Sequence, residues 1–313
     1  MRKILITGGA GNVGGSLAKK LIENADNRIV IADNFVTGNA RKLPSGDSDN
    51  WKFIKCNVNQ YEDIAALVFS FRPEYIFHYA ALVGVQRTLA NPVKVLEDIQ
   101  GIKNILDLSK NTGVKRVFYS SSSEVYGEPV EFPQNEHTTP LNSRLPYAIV
   151  KNVGEAFLKS YKQEYDLDYT IFRFFNTYGP DQSTDFVMAK FIQSALKNED
   201  LTIYGDGSQT RTFCYIDDNI EATTRIFYES KYVNDIVNIG NDEEVSVLEL
   251  AGKVVELTRS RSRIVHLPPL SEGDMTRRKP DNEKMKKILG KPLISVEDGI
   301  NRMIQAARSI PAK

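Results

Sequence analysis

Cysteine, histidine and tryptophan are scarce here, at two, three and one among 313 residues. Cys56 and Cys214 lie far apart in the chain, and neither they nor His78, His137 and His266 fall at metal-ligand spacing, so no metal site is expected. An excess of one charge is missing too. Forty basic and forty acidic residues cancel, and the cluster Arg277-Arg278-Lys279 is too short to track a phosphate backbone, which argues against a nucleic-acid partner. Long apolar runs are also absent. Only Ile4 to Ile6 separate Met1-Arg2-Lys3 from the first glycines, whereas a secretory core needs about 7 to 15 apolar residues and a membrane span about 20. These absences predict a reduced, metal-free, cytoplasmic enzyme with no membrane partner.

What the chain does contain is a regular alternation. Its 41% hydrophobic content suffices for one large or two ordinary domains. Stretches 3–7, 28–32, 51–56, 75–79 and 115–120 are short and β-rich, and helical patterns separate most of them. That order predicts a doubly wound α/β fold on a parallel sheet. The helix after the fifth strand is expected to start at Pro146, because proline suits the first helical position. A sixth strand is expected over 169–174, after which the rhythm loosens near Gly179. A buried strand over 236–240 predicts that the chain returns to the first domain before closing with helices over 247–258 and 296–307.

The first strand runs into Thr7-Gly8-Gly9-Ala10-Gly11-Asn12-Val13-Gly14. Glycines at positions 8, 11 and 14 allow a tight turn and close approach to a pyrophosphate, while the following helix N-terminus offers free N–H groups and partial positive charge. Such a pattern is weak evidence alone, since plain turns share it. Asp33 follows Gly14 by 19 residues and ends the second strand, where a carboxylate can accept from ribose hydroxyls and would repel a 2′-phosphate. The same residue with Asn34 could simply form a turn, but after those glycines the nucleotide reading is preferred, with NAD favoured over NADP. Asn57 and Val58 after the third strand, and Ala80 and Ala81 after the fourth, are further candidate cofactor contacts; small residues there also serve tight packing.

Tyr147 and Lys151 form the only Tyr-x-x-x-Lys pair in the chain. Four residues apart on a helix they share a face, with β-carbons about 6 Å apart. An ammonium so placed can stabilise a phenolate, and lowering a phenol from about 10 to about 7 takes roughly 4 kcal/mol, within reach of a lysine together with a cationic nicotinamide. Upstream, Ser120-Ser121-Ser122-Ser123-Glu124-Val125-Tyr126-Gly127 closes the fifth strand at the sheet edge where ligands bind. Without that context a serine run is only a polar loop.

Taken with the glycines, Asp33 and the Tyr-Lys pair, these residues make the chain resemble the extended short-chain dehydrogenase/reductase family, in particular its nucleotide-sugar epimerases, dehydratases and decarboxylases. The resemblance extends over 173–180 (Arg-Phe-Phe-Asn-Thr-Tyr-Gly-Pro), over 204–213 and from Gly273-Asp274 to Pro280-Asp281. It implies a Rossmann domain over 1–179 with a returning segment over about 213–240, and a smaller mixed α/β C-terminal domain over 180–212 and 241–313 for the nucleotide sugar. It also implies NAD as cofactor, Tyr147 as base, Ser122 as the hydroxyl holding the same sugar oxygen, and Lys151 on the cofactor ribose. Glu124 joins them as a catalytic candidate. Ser123, Asn176, Tyr204, Arg211, Arg277 and Arg278 are the implied substrate contacts, and relatives commonly form homodimers through the helices carrying Asp98 and Tyr147.

Three outcomes share the 4-keto intermediate. Dehydratases of the family usually place an Asp-Glu pair after the catalytic hydroxyl, and Ser123 in place of that Asp counts against elimination. The loop 80–92 resembles that of epimerases, so a 4-epimerase acting on a UDP-sugar is the leading expectation. The Ser-Glu-Val-Tyr-Gly and Arg278-Lys279-Pro280-Asp281 stretches are similar to UDP-glucuronate decarboxylases, which stand second. Ser271 occupies the position of a diphosphate-binding arginine of epimerases, leaving Arg277 or Arg278 to take that contact. An idle NAD-binding regulator on the same fold is the alternative from another class; the intact Ser122, Tyr147 and Lys151 argue against it.

Overall fold

A computed structural model describes residues 1–46, 49–269 and 277–309. Among these, seven strands form one parallel sheet: β1 (Arg2–Thr7), β2 (Asn27–Asp33), β3 (Trp51–Lys55), β4 (Tyr75–His78), β5 (Arg116–Ser122), β6 (Asp168–Phe174) and β7 (Asp235–Ile239). Their spatial order is β7-β6-β5-β4-β1-β2-β3. The chain thus winds outward from β1 in one direction to β3, then returns to β4 and winds the other way. This reversal between β1 and β4 opens the crevice in which open α/β sheets bind their ligands.

Side-chain alternation explains why both faces are covered. Ile4, Ile6, Ile29, Ile31, Phe77 and Phe118 point into one apolar core, while Leu5, Val30, Ile76 and Val117 point into a second core on the opposite face. The first core is roofed by helix α1 (Asn12–Ile22) and extends into the C-terminal half of the chain. The second lies beneath α2 (Tyr61–Phe71), α3 (Asp98–Thr112) and α4 (Pro146–Tyr165). Strands buried on both faces are what a parallel sheet requires, hence near-continuous apolar runs in place of polar alternation.

Helix α4 begins at Pro146 as the sequence predicts, after Leu145 in extended conformation. Gly154 brings it close to β5: a β-carbon there would sit 2.3 Å from the Tyr119 hydroxyl oxygen. Further helices of the C-terminal half are α5 (Val187–Leu196), α6 (Ile216–Tyr228), which packs on α1, then α7 (Val247–Thr258) and α8 (Val296–Ser309). Helix α7 starts at Ser246, whose hydroxyl accepts from Glu249 N while the Glu249 carboxylate accepts from Ser246 N, two otherwise orphaned donors satisfied together. Short strand pairs knit this half, 201–204 with 264–267 in parallel and 210–212 with 244–246 antiparallel. Among the described residues no helix is long and apolar enough to cross a membrane, and no group of three or more His, Cys, Asp or Glu is placed to hold a metal.

Candidate active site

The glycine turn is tight because β1, α1 and the residues after β4 meet there. Gly8 has φ +69°, and a β-carbon on it would fall 2.6 Å from Ala80 N; one on Gly14 would fall 2.3 Å from the Gly8 carbonyl. Larger residues at either place would push the backbone out of the crevice. Helix α1 has no acidic residue in its first turn, and Gly11 at its N-cap supplies no side-chain acceptor. Its first N–H groups therefore face the crevice uncapped. Nearby, Asn12 Oδ1 is buried without a hydrogen-bond partner, as expected where a ligand supplies the donor.

Asp33 does both things the sequence allows. Its Oδ1 accepts from Phe35 N at 2.7 Å and its Oδ2 from Ala10 N at 3.0 Å, which folds the turn. A carboxylate has about four acceptor positions, so capacity remains on the side that lines the cavity. That cavity has a volume of about 520 Å³. Gly8, Gly11, Asn12, Val13 and Gly14 line it together with Asp33, Asn34, Asn57, Val58, Ala80 and Ala81. Every cofactor contact expected from the sequence therefore lines one cavity, Tyr147 and Lys151 included. The glycine cradle, the uncapped helix end and the orphaned Asn12 oxygen fit a dinucleotide.

The same cavity reaches Ser122, Ser123, Glu124, Tyr147, Lys151, Asn176 and Arg278. Strand β5 ends at Ser122, whose hydroxyl oxygen accepts from Glu124 N at 3.2 Å and fixes a short turn over 123–126. Tyr147 lines the cavity beside Ser122, and the Ser122 hydroxyl acts to lower the phenol's pKa. Lys151 is buried, its Nζ 3.4 Å from Ser120 Oγ and 5.6 Å from the centre of the Tyr147 ring. Burial pulls this ammonium down to about 8, partly offset by the negative charge of Asp98.

Burial first, then the charge of Glu124, holds the Tyr147 phenol well above its ordinary value; the Ser122 hydroxyl lowers it, Asp98 raises it, and Arg278 lowers it. In the protein alone burial dominates, so the lowering expected at the phenol falls to Lys151 together with a bound nicotinamide.

Arg278 is buried, its Nη1 3.7 Å from Glu124 Oε1. Asn176, held at φ +34°, donates to the Thr212 carbonyl at 2.9 Å on the same wall. Three expected substrate contacts are not among the cavity's lining residues. Arg277 pairs with Glu244, its Nη2 2.7 Å from Oε2, and lies over the Phe132 ring at 4.2 Å; with Lys279 it holds the Glu244 carboxyl down to about 2. Of the two arginines named for the diphosphate, only Arg278 faces the cavity. Arg211 is buried on its short strand and donates to the Thr210 carbonyl at 2.8 Å, and the Tyr204 hydroxyl accepts from Gln86 at 3.4 Å. Ser271, Gly273 and Asp274 lie outside the described residues. Conversely, Lys42, Arg87, Asp98, Gln182 and Phe186 line the cavity without belonging to the expected set. Asp98 accepts from Leu82 N at 2.7 Å and from Asn59 Nδ2 at 3.1 Å. Of these, Asp98 was named from the sequence only on a helix expected to pair in a dimer, and Arg87 only within the loop 80–92.

A reversed parallel sheet, a glycine cradle at its switch point and a Ser-Tyr-Lys set facing the cradle define an enzyme of the short-chain dehydrogenase/reductase type on a Rossmann fold. More particularly, the chain belongs to the NAD dependent epimerase/dehydratase family, whose model matches residues 4–240, and NAD is the family's cofactor. It is 36% identical to a UDP-N-acetyl-alpha-D-glucosaminuronate decarboxylase of Bacillus cytotoxicus over 99% of this chain and 98% of that one. It is 35% identical to UDP-glucuronic acid decarboxylase 1 of Danio rerio over 97% of this chain and 72% of the relative. Among solved structures, the UDP-glucose 4-epimerase of Thermotoga maritima with UDP-glucose superposes with a TM-score of 0.91 at 31% identity, covering 98% of each chain.

Proposed function

We propose that the protein oxidises carbon 4 of a UDP-sugar and that its substrate is a UDP-hexuronate, which leaves as a UDP-pentose and carbon dioxide. Arg278 carries this reading. A buried guanidinium at the sugar end of the cavity, beside Glu124 and the Tyr147 phenol, is matched to a carboxylate on carbon 5. The relatives from Bacillus cytotoxicus and Danio rerio, both named as uronate decarboxylases, support it.

NAD, held at the glycine cradle and Asp33, would supply the hydride acceptor for carbon 4 and the donor that restores it. Tyr147 takes the proton of the carbon-4 hydroxyl, and Ser122 holds the oxygen from which it leaves. With carbon 4 a ketone, the bond from carbon 5 to its carboxylate can break, its electron pair passing into the carbonyl as an enolate. Arg278 orients that carboxylate. Glu124, 3.7 Å away, sets a negative charge beside it and so favours its departure as a neutral molecule. Carbon 5 takes a proton from solvent water, and return of the hydroxyl proton from Tyr147 to the carbon-4 oxygen completes the cycle.

A second reading, 4-epimerisation of a neutral UDP-sugar, is favoured by the loop 80–92 and by the likeness to the Thermotoga maritima epimerase. The two are separated by incubating the protein with NAD and a panel of UDP-, GDP- and dTDP-sugars, uronates included, and following products by NMR. Carbon dioxide and a pentose from a UDP-uronate are expected. A product of unchanged mass would refute decarboxylation and favour the epimerase; bound NAD without turnover of any sugar would leave only the idle regulator. A cytoplasmic homodimer is part of the proposal. Val93, Leu96 and Ile149 are exposed on or next to the expected pairing helices, Val93 at 74%, and light scattering on the eluted protein measures the assembly.

A further inference from the structure

We propose that residues 179–186 form a strap over the bound dinucleotide, fastened at both ends by ion pairs, and that these fastenings set the rate at which NAD leaves. One fastening joins Asp181 Oδ2 to Lys19 Nζ of α1 at 2.8 Å. The other joins Asp185 Oδ2 to Arg87 Nη2, on the short helix after β4, at 2.6 Å. Helix α1 follows β1 at the glycine cradle, and the segment after β4, on the other side of the switch point, lines the same crevice. The strap therefore runs from one side of the switch point to the other.

Its inner and outer faces differ in chemistry. Gln182, Ser183 and Phe186 line the cavity that the glycine cradle opens into, and Gln182 Oε1 is buried without a partner while its Nε2 donates to the Thr177 carbonyl at 2.9 Å. An acceptor aimed inward with no donor from the protein is suited to an N–H or O–H of a bound ligand. The anchoring side chains are solvent-accessible, between 34% and 41% exposed. The strap itself is stiff. Gln182 N bonds the Gly179 carbonyl at 3.0 Å and Phe186 N the Ser183 carbonyl at 3.1 Å, giving two consecutive turns. Gly179 presses on α6, where a β-carbon would sit 2.6 Å from Ile216 Cγ2. Two stiff turns on a pinned base are held down by their outer contacts, and exposed ion pairs weaken as salt rises.

The inference rests on the cofactor site and is independent of which reaction follows. Holoenzyme loaded with NAD is diluted into buffer, and released NAD is converted to NADH by an excess of a second dehydrogenase. The pair Asp181→Asn with Asp185→Asn should release NAD on the order of tenfold faster at low salt. Release from the parent should quicken with added sodium chloride and approach the variant's rate, which should barely change. Exchanging one pair, Lys19→Asp with Asp181→Lys, should restore slow release in place of the loss that either single change produces. Equal release rates for parent and variant at low salt would overturn the strap, as would a parent rate indifferent to salt or an exchanged pair no better than its single changes. If NAD does not bind to the parent at all, the cofactor site itself is wrong, a result distinct from these.

Discussion

Arg173→Met tests how the catalytic helix is held. The Arg173 and Glu155 side chains are each 1% exposed. The guanidinium donates to Glu155 Oε1 at 2.9 Å and Oε2 at 2.6 Å, to the Tyr126 hydroxyl at 2.8 Å and to the Glu136 carbonyl at 3.1 Å. Ser121 adds a bond to Glu155 at 2.6 Å. Glu155 stands one turn beyond Lys151 and two beyond Tyr147 on α4, Ser121 precedes Ser122, and Tyr126 follows Glu124 by two residues. One cation thus ties together three of the catalytic segments. Methionine fills much of the volume but leaves Glu155 buried with only the Ser121 donor. Breaking one member of a buried pair costs about 3–5 kcal/mol, a large share of the roughly 5–15 kcal/mol that folds a protein. At about 2–4 °C per kcal/mol for a large domain, Tm should fall by about 10 °C. Urea unfolding of the cofactor-free protein, followed through its single tryptophan, Trp51, measures the change. Adding Glu155→Leu removes the stranded carboxylate and should recover at least half of the loss. A single change costing under about 1 kcal/mol, or a double variant no better than the single, would refute the reasoning.

Three further outcomes are expected. Tyr147→Phe should keep NAD bound and lower kcat by about 10²-fold or more, since the ring packing survives and only the ionisable oxygen is lost; steady-state rates beside cofactor titration check both halves. Lys151→Met should abolish activity yet stabilise the cofactor-free protein by roughly 3 kcal/mol at pH 7, because the buried ammonium is pulled from 10.5 to about 8. The native lysine sheds its proton near pH 8 while the unfolded chain keeps it to about 10.5, so the gain should be full below pH 8 and fade as pH rises toward 10.5, as unfolding at several pH values would reveal. Asp33→Asn removes the charge but keeps an acceptor in the turn, and should narrow the preference for NAD over NADP by about tenfold, read from the dissociation constants of the two cofactors.

The half of the site that binds the cofactor was legible because it is local. Gly8, Gly11, Gly14 and Asp33 fall within one β-α-β unit, where spacing along the chain translates directly into position in space. Pro146 marked the start of α4 for the same reason, and helical periodicity then placed Tyr147 beside Lys151. What spacing could not convey was solvation: burial, invisible in a list of neighbours, drives the Tyr147 phenol up despite the lysine. The sugar side was less legible because its residues arrive from far along the chain. Arg277 and Arg278 are adjacent in sequence, yet one pairs with Glu244 outside the cavity and the other faces Glu124 within it. Arg87 and Asp185, 98 residues apart, carry no motif that would join them.

Arg278 owes its position to the main chain that follows it. The Lys279 carbonyl accepts from Gln134 N at 2.8 Å, and Asp281 N donates to the Gln134 carbonyl at 2.9 Å, while Asn238 on β7 grips the Gln134 and Asp281 carbonyls at 2.8 and 3.1 Å. None of these bonds uses the side chain at 278. If Arg278 holds the substrate carboxylate as proposed, exchange of that one side chain would change which sugar is accepted while the backbone that carries it kept its bonds, an arrangement that lets products diverge on a shared scaffold.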